Sequence, residues 1–191
     1  RTARERGARR FGLHMMVASN CREENYLIDS ISLGFEAIEH VQRELGIEFD
    51  FYDSGGGYGI PYAPEDRELD MPHLGARMAE IQDLFRQRNG YMPKIWTEMG
   101  RWMSGPFGAL VVTAINRKET HETFIGIDAG MEALARPAFY GSWHDHEVVG
   151  ATTGETEVVN IGGSICEAWD LTAKTRLMPK ISVGDLIKIA N

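Results

Sequence analysis

Three short segments put polar, chemistry-bearing residues at the ends of apolar runs. Ser19 follows Phe11 to Val17, Gly55-Gly56-Gly57 follows Ile47 to Tyr52, and Glu98-Met99-Gly100-Arg101 follows Lys94 to Thr97. Consecutive glycines let backbone N–H groups approach a phosphate with no Cβ in the way. Ser19 and the amide of Gly100 would add hydrogen bonds, and Arg101 would add charge. Glu98 is either a carboxylate that simply meets solvent or a partner for a heterocyclic nitrogen. A glycine triplet alone reads equally well as a flexible turn. Three such features at three successive strand ends favour an anion-binding set.

The second half of the chain carries a different set. Arg136 lies in the otherwise apolar stretch Ala135 to Tyr140 and needs an anionic partner, either a structural carboxylate or a substrate's. Cys166-Glu167 sits in a loop after Gly162-Gly163-Ser164. A single cysteine is more often a small buried hydrophobe than a reagent. His144-x-His146 lacks a third ligand at fixed spacing, so no metal site is expected. Cys21, in a polar loop, reads as incidental.

The elements that must position these residues follow from periodicity. Arg1 to Gly7 reads as the tail of a helix. Phe11 to Val17 is a short apolar run of the kind found in buried parallel strands. Leu27, Ile31, Phe35, Ile38, Val41 and Leu45 recur at helical spacing over Glu24 to Leu45, with Gly46 as the stop. A strand over Ile47 to Tyr52 leads into the glycines. Leu74, Met78, Ile81, Leu84 and Phe85 define another helix, closed by Asn89-Gly90. Lys94 to Thr97 is a third strand. Strand, helix, strand, helix, strand implies parallel pairing with crossover helices. Ligands bind at the carboxyl ends of such strands, where the three polar segments lie.

After Pro106 the rhythm changes to short strands separated by turns: Leu110 to Ile115, Thr123 to Ile127, Glu147 to Val149, Glu157 to Ile161 and Leu186 to Ile189. The expected organisation is an α/β part over 1–105 and a β part over 106–191. Because the alternation begins in mid-rhythm, earlier strands are expected to precede it, since an open sheet edge is a liability.

Composition sets the outer bounds. The chain has 191 residues, a formal charge of -8, 43% hydrophobic and 25% charged residues. These values are ordinary for a globular protein. The acidic balance argues against nucleic-acid binding, which needs clustered Lys and Arg; the basic stretch Arg1 to Arg10 reads as a helix surface. No apolar run approaches the roughly 20 residues that span a bilayer. No secretory leader is evident, and two cysteines make no disulfide framework. A cytoplasmic protein without membrane or nucleic-acid partners is expected.

Taken in order, six segments resemble the family of ornithine, diaminopimelate and arginine decarboxylases. They are Gly12-Leu13-His14-Met15-Met16-Val17-Ala18-Ser19-Asn20, Asp53-Ser54-Gly55-Gly56-Gly57-Tyr58-Gly59-Ile60-Pro61-Tyr62, Glu98-Met99-Gly100-Arg101, Asp128-Ala129-Gly130-Met131, Arg136-Pro137-Ala138-Phe139-Tyr140-Gly141 and Cys166-Glu167. Each is weak singly; their joint order is specific and covers nearly the whole chain. The resemblance implies an α/β plus β fold: the C-terminal part of a pyridoxal-phosphate-binding (β/α)8 barrel, followed by most of a β-sandwich or Greek-key-like domain.

The same resemblance implies roles. Gly56, Gly57, Ser19, Gly100 and Arg101 would hold the phosphate region of pyridoxal 5'-phosphate, and Glu98 would pair with the pyridine nitrogen. Arg101, Arg136 and Tyr140 would grip the distal end of the substrate, Glu167 would accept its distal ammonium, and Cys166 would donate a proton. Arg136 together with Glu167 matches the distal amino-acid group of meso-2,6-diaminopimelate, so decarboxylation to L-lysine and CO2, a step of lysine biosynthesis, is the expected activity. A decarboxylase of the ornithine, arginine or carboxynorspermidine type, and a non-catalytic relative serving as a binding scaffold, are the alternatives. The family works as a homodimer with shared active sites, the Cys166-Glu167 loop crossing between subunits.

Two departures stand out. Met16 occupies the position of a histidine that stacks on the cofactor ring; a thioether also packs on an aromatic face. Met99 replaces a proline. The family's cofactor-bearing lysine falls upstream of Arg1 and a further active-site tyrosine beyond Asn191. These 191 residues are therefore expected to be a piece that does not turn over by itself and folds poorly alone.

Overall fold

The computed structural model describes residues 1–151 and 154–191. The chain divides into two compact units, one of Arg1–Pro61 with Arg67–Gly105, the other of Tyr62–Asp66 with Pro106–Asn191.

The first unit contains α1 (Thr2–Glu5), β1 (Gly12–His14), α2 (Glu24–Leu45), β2 (Phe51–Asp53), α3 (Met71–Asn89), β3 (Lys94–Trp96) and α4 (Gly100–Ser104). Helix α2 forms because Leu27, Ile28, Ile31, Phe35 and Ile38 make one apolar stripe, all buried. It stops at Gly46, whose left-handed backbone (φ 60°) lets its N–H donate to Gln42 O at 2.8 Å. Helix α3 starts at Asp70, whose carboxylate accepts from the N–H of His73 at 2.9 Å. It ends at Gly90 in the same left-handed manner.

The strands pair in parallel in the order β1-β2-β3. In register, Leu13, Tyr52 and Ile95 share one face, Gly12, Phe51 and Lys94 a row of the other, and His14, Asp53 and Trp96 its next row. The first face packs on Ile31, Phe35, Ile38 and Phe85 of α2 and α3. Burial, together with the nearby Tyr58 and Asp53 charges, pushes the Tyr52 hydroxyl up to about 12, so it stays protonated. The other face has no helix layer among the described residues. There Phe51 and Trp96 stack with ring centroids 4.4 Å apart, and Gly12 and His14 are exposed. This corrects the expectation of a buried first strand: β1 is covered on one side and stops at His14, three residues before Val17.

A 3-10 turn, Gly105–Phe107, leads into the main stretch of the second unit, which contains β4 (Ala109–Glu119), β5 (Thr123–Ile127), α5 (Arg136–Tyr140), β6 (His146–Val148), β7 (Thr156–Gly162), β8 (Leu171–Pro179) and β9 (Leu186–Ala190). They form one mixed sheet in the order β6-β9-β4-β5-β7-β8. Strand β4 is long enough to serve two partners: Ala109–Thr113 pair with β9 and Ala114–Glu119 with β5. The β5–β7 pair is parallel; the other pairs are antiparallel.

Val112, Ile125, Ile127, Val159, Ile161, Met178, Ile187 and Ile189 share one buried core. The terminal strands of the order approach each other, with His146 Nε2 3.1 Å from Thr172 Oγ1. In place of a two-layer sandwich the strands make a single, nearly closed sheet, because its alternate inward residues meet across one interior.

Candidate functional site

Residues that lie far apart in the chain line one concavity of about 190 Å³ in the first unit: Met16, Ser19, Asn20, Gly56, Gly57, Tyr58, Glu98, Met99, Gly100 and Arg101. All six cofactor residues expected from the sequence are in that set. The loops after β1, β2 and β3 are stitched together by backbone hydrogen bonds. Cys21 N donates to Gly57 O and Gly59 N to Cys21 O, both at 2.8 Å, and Glu98 N donates to Gly55 O at 2.8 Å.

The glycines are required by close approach. A Cβ on Gly56 would lie 2.7 Å from Glu98 O; one on Gly57, whose φ is +90°, would lie 2.3 Å from Ala18 O. Among the described residues the N–H groups of Gly56 and Gly57 donate to no protein acceptor, and neither does the Ser19 hydroxyl. Such uncommitted donors on converging loops suit an anion with several oxygens. Gly100 differs from expectation: its N–H donates to Glu98 O at 2.8 Å. It offers no spare donor, and a Cβ at this position would meet no protein atom within 4 Å.

Glu98 has neighbours that sequence reasoning missed. Its Oε2 is 3.3 Å from His14 Nε2, and one polar atom each of His14, Asp53 and Glu98 lies within 4.8 Å of the others. Asp53 is buried and accepts from Gly55 N at 2.9 Å, fixing the start of the glycine loop. The signal for His14 and Asp53 was strand alternation, which puts them in one row of the open face. Asn20 was also missed: it adopts φ 51° and its side chain accepts from Ile60 N at 3.0 Å. Asn is among the few residues that tolerate this backbone.

In the second unit, the Arg136 guanidinium lies 5.4 Å from the Tyr140 ring centroid and 5.5 Å from that of Tyr62. Its buried Nε has no hydrogen-bond partner among the described residues. A cation held by ring faces, with a donor left over, is the arrangement expected of an anion receptor. Cys166 and Glu167 are both exposed in the Gly163–Asp170 loop. Asp128 accepts from Thr113 N at 2.7 Å, which holds its carboxyl below the usual range; it ties β4 to β5. The two histidines are structural: His144 Nδ1 faces Ala190 O and His146 Nδ1 faces His144 O, each at 3.0 Å.

The family model described as pyridoxal-dependent decarboxylase, C-terminal sheet domain, matches residues 16–191. The chain belongs to the pyridoxal-dependent decarboxylase family. Within that family it is 36% identical to the diaminopimelate decarboxylase of Thermoplasma acidophilum, over 99% of this chain and 44% of the relative. It is 32% identical to that of Methanothermobacter thermautotrophicus, over 100% of this chain and 45% of the relative. It is also 38% identical to protein TabA of Pseudomonas amygdali pv. tabaci, over 99% and 44%. The crystal structure of diaminopimelate decarboxylase from M. jannaschii in complex with L-lysine matches with a TM-score of 0.84 at 29% identity. That match covers 94% of this chain and 41% of the solved one. The chain thus spans less than half the length of these decarboxylases. Among the described residues no helix is long and apolar enough to cross a membrane.

Proposed function

We propose that this chain is the carboxyl-terminal part of a diaminopimelate decarboxylase, comprising the last strands of a pyridoxal-phosphate-binding barrel (1–105) and a carboxyl-terminal sheet (106–191). The observation that supports this most is the convergence of Ser19, Gly56, Gly57, Glu98 and Arg101 on one concavity. The residues fit the cofactor: two glycine N–H groups without protein acceptors line the concavity, on loops packed so closely that a Cβ would meet Glu98 O or Ala18 O. The uncovered face of β1-β2-β3 suits a barrel interior.

Bound pyridoxal phosphate supplies the electron sink for the pair left behind when CO2 departs. The residues present do the rest. Gly56, Gly57, Ser19 and Arg101 would hold the phosphate, with Gly100 lining the same concavity. The Glu98 carboxylate would pair with the ring nitrogen and favour its protonated form, and the Met16 thioether would lie beside the ring. Arg136, flanked by Tyr140, grips the distal carboxylate of the substrate; Arg101 contributes at the same end, and Glu167 takes the distal ammonium. Cys166 holds a proton on Sγ for delivery to the reacting carbon. The active unit is a homodimer in which the Cys166-Glu167 loop serves the neighbouring subunit, and the compartment is the cytoplasm.

The test is substrate competition on the full-length parent. Release of CO2 from meso-2,6-diaminopimelate should exceed that from ornithine or arginine. Arg136→Gln should raise KM for diaminopimelate by about 10- to 100-fold, the value of one or two charge-assisted hydrogen bonds. Equal use of substrates without a distal carboxylate would end the reading.

A further inference from the structure

We propose that Asp170 is a positioning residue that holds the Cys166 loop in its working shape by clamping it to the Gly130-Met131 turn. The catalytic part of this proposal rests on the reading of Cys166 given above; the clamp itself does not.

Asp170 is 3% exposed, and a carboxylate at that depth requires compensation. It receives it from two separate segments. Its Oδ1 accepts from Met131 N at 2.7 Å, and its Oδ2 accepts from Ile165 N at 2.9 Å. Each bond is made to a charged acceptor and is stronger than a neutral one. The backbone of Asp170 closes the loop as well: Gly163 N donates to its carbonyl at 3.1 Å, and its own N–H donates to Glu167 O at 3.1 Å. Cys166 is the residue after Ile165, so the carboxylate sets the chain direction immediately before the thiol.

The surroundings are cut to fit this carboxylate. A Cβ on Gly130 would lie 2.2 Å from Asp170 Oδ1, and one on Gly163 would lie 2.5 Å from Oδ2. Both glycines are therefore needed for the carboxylate to sit where it reaches both amides. The loop carries Ile165, Cys166 and Trp169 at the surface, so apolar burial does little to fix it. The buried carboxylate beneath supplies the rigidity that packing does not.

Asp170→Asn keeps the shape but offers one acceptor oxygen where two amides need one each, so one amide must face an NH2 group. In the full-length protein, hydrogen exchange at the Ile165 and Met131 amides should quicken by about tenfold or more, while exchange at Val159 and Ile187 in the core stays unchanged. The alkylation rate of Cys166, read by peptide mass, should change. The kcat should fall about tenfold with KM and cofactor absorbance within about twofold. In a Cys166→Ala background, Asp170→Asn should have no further effect on kcat.

Gly130→Ala, which displaces the carboxylate without removing it, should reproduce the pattern and serves if Asp170→Asn folds poorly. Unchanged exchange at Ile165 overturns the clamp. Exchange that quickens equally in the core, with kcat losses additive to those of Cys166→Ala, overturns the positioning role. A Cys166→Ala enzyme with full kcat instead sinks the reading of Cys166 and the catalytic half of this proposal, leaving the exchange result to decide the clamp.

Discussion

Acidification should loosen the carboxyl-terminal sheet through one residue, His146. Its Nδ1 faces His144 O at 3.0 Å, so that nitrogen carries the hydrogen, and Nε2 must then accept from the Thr172 hydroxyl 3.1 Å away. The neutral ring satisfies both contacts. Burial pulls its pKa down from 6.5 to about 4; the Arg176 charge assists. The unfolded chain therefore binds the proton first as pH falls. The stability that the neutral imidazole contributes is present above about pH 6.5 and is lost progressively towards pH 4.

Integrating that shift gives a loss of about 2 kcal/mol between pH 7 and pH 5, and about 3 kcal/mol by pH 4. His146 bridges β6 to β8, the two ends of the sheet order, so the loss falls on sheet closure. Urea denaturation at pH 7 and pH 5 measures it, with His146→Gln as the comparison because a neutral amide cannot titrate. The wild-type difference should exceed that of the variant by about 2 kcal/mol. An NMR titration of the ring gives the pKa directly. Equal pH dependence in both proteins, or a His146 pKa near 6.5, would refute the reasoning.

Other expectations follow from single contacts. Gly57→Ala puts a Cβ against Ala18 O and an L-residue at φ +90°; strain of about 1–3 kcal/mol should weaken cofactor binding about tenfold or more in the full-length protein, read by absorbance titration. Arg117 forms a two-pronged pair with Glu157 (2.7 and 2.6 Å) and donates to Ile181 O at 2.9 Å. With about a fifth of each side chain open to water, Arg117→Met should cost about 1–3 kcal/mol in urea denaturation. Arg117 also holds the Glu157 carboxyl below its ordinary value of 4.5. That part of the stability is present above about pH 4.5, falls away as pH drops below it, and should vanish from the pH profile of Arg117→Met. His14→Ala removes the imidazole beside Glu98; cofactor affinity should drop about two- to tenfold, measured by the same titration, with the thermal midpoint nearly unchanged because both groups are half exposed.

Much of the fold was legible because its signals are local. The stripe Leu27, Ile31, Phe35, Ile38 with Gly46 specified α2 to the residue. Five of the six strands of the second unit lay where short β-branched runs meet turn residues. Strand β8 was missed because Lys174-Thr175-Arg176 interrupts its alternation, and Thr175 bulges out with φ 48°. The residues that line the concavity of the first unit were singled out because strand ends collect ligands and because their order matches a known family. His14, Asp53, Asn20 and Asp170 were not, since each acts on a group distant in the chain or on a backbone amide that no residue type announces.

Local propensity and pattern are written in consecutive residues, so the sequence by itself determined the two long helices, most strands, the change of rhythm after Pro106 and the glycine loop, but not the short helices α4 and α5. It could not decide how strands that are not neighbours would pair. Whether six strands make two layers or one curled sheet depends on whether β6 meets β8, and that is settled by the summed packing of Val112, Ile161, Ile187 and Ile189 in one interior. Tertiary structure alone likewise decided that the Gly100 N–H is committed, that those of Gly56 and Gly57 are not, and that a buried carboxylate lies under the cysteine loop. Hydrogen-bond partnership is a property of distances in space, and a residue's name carries only the capacity for it.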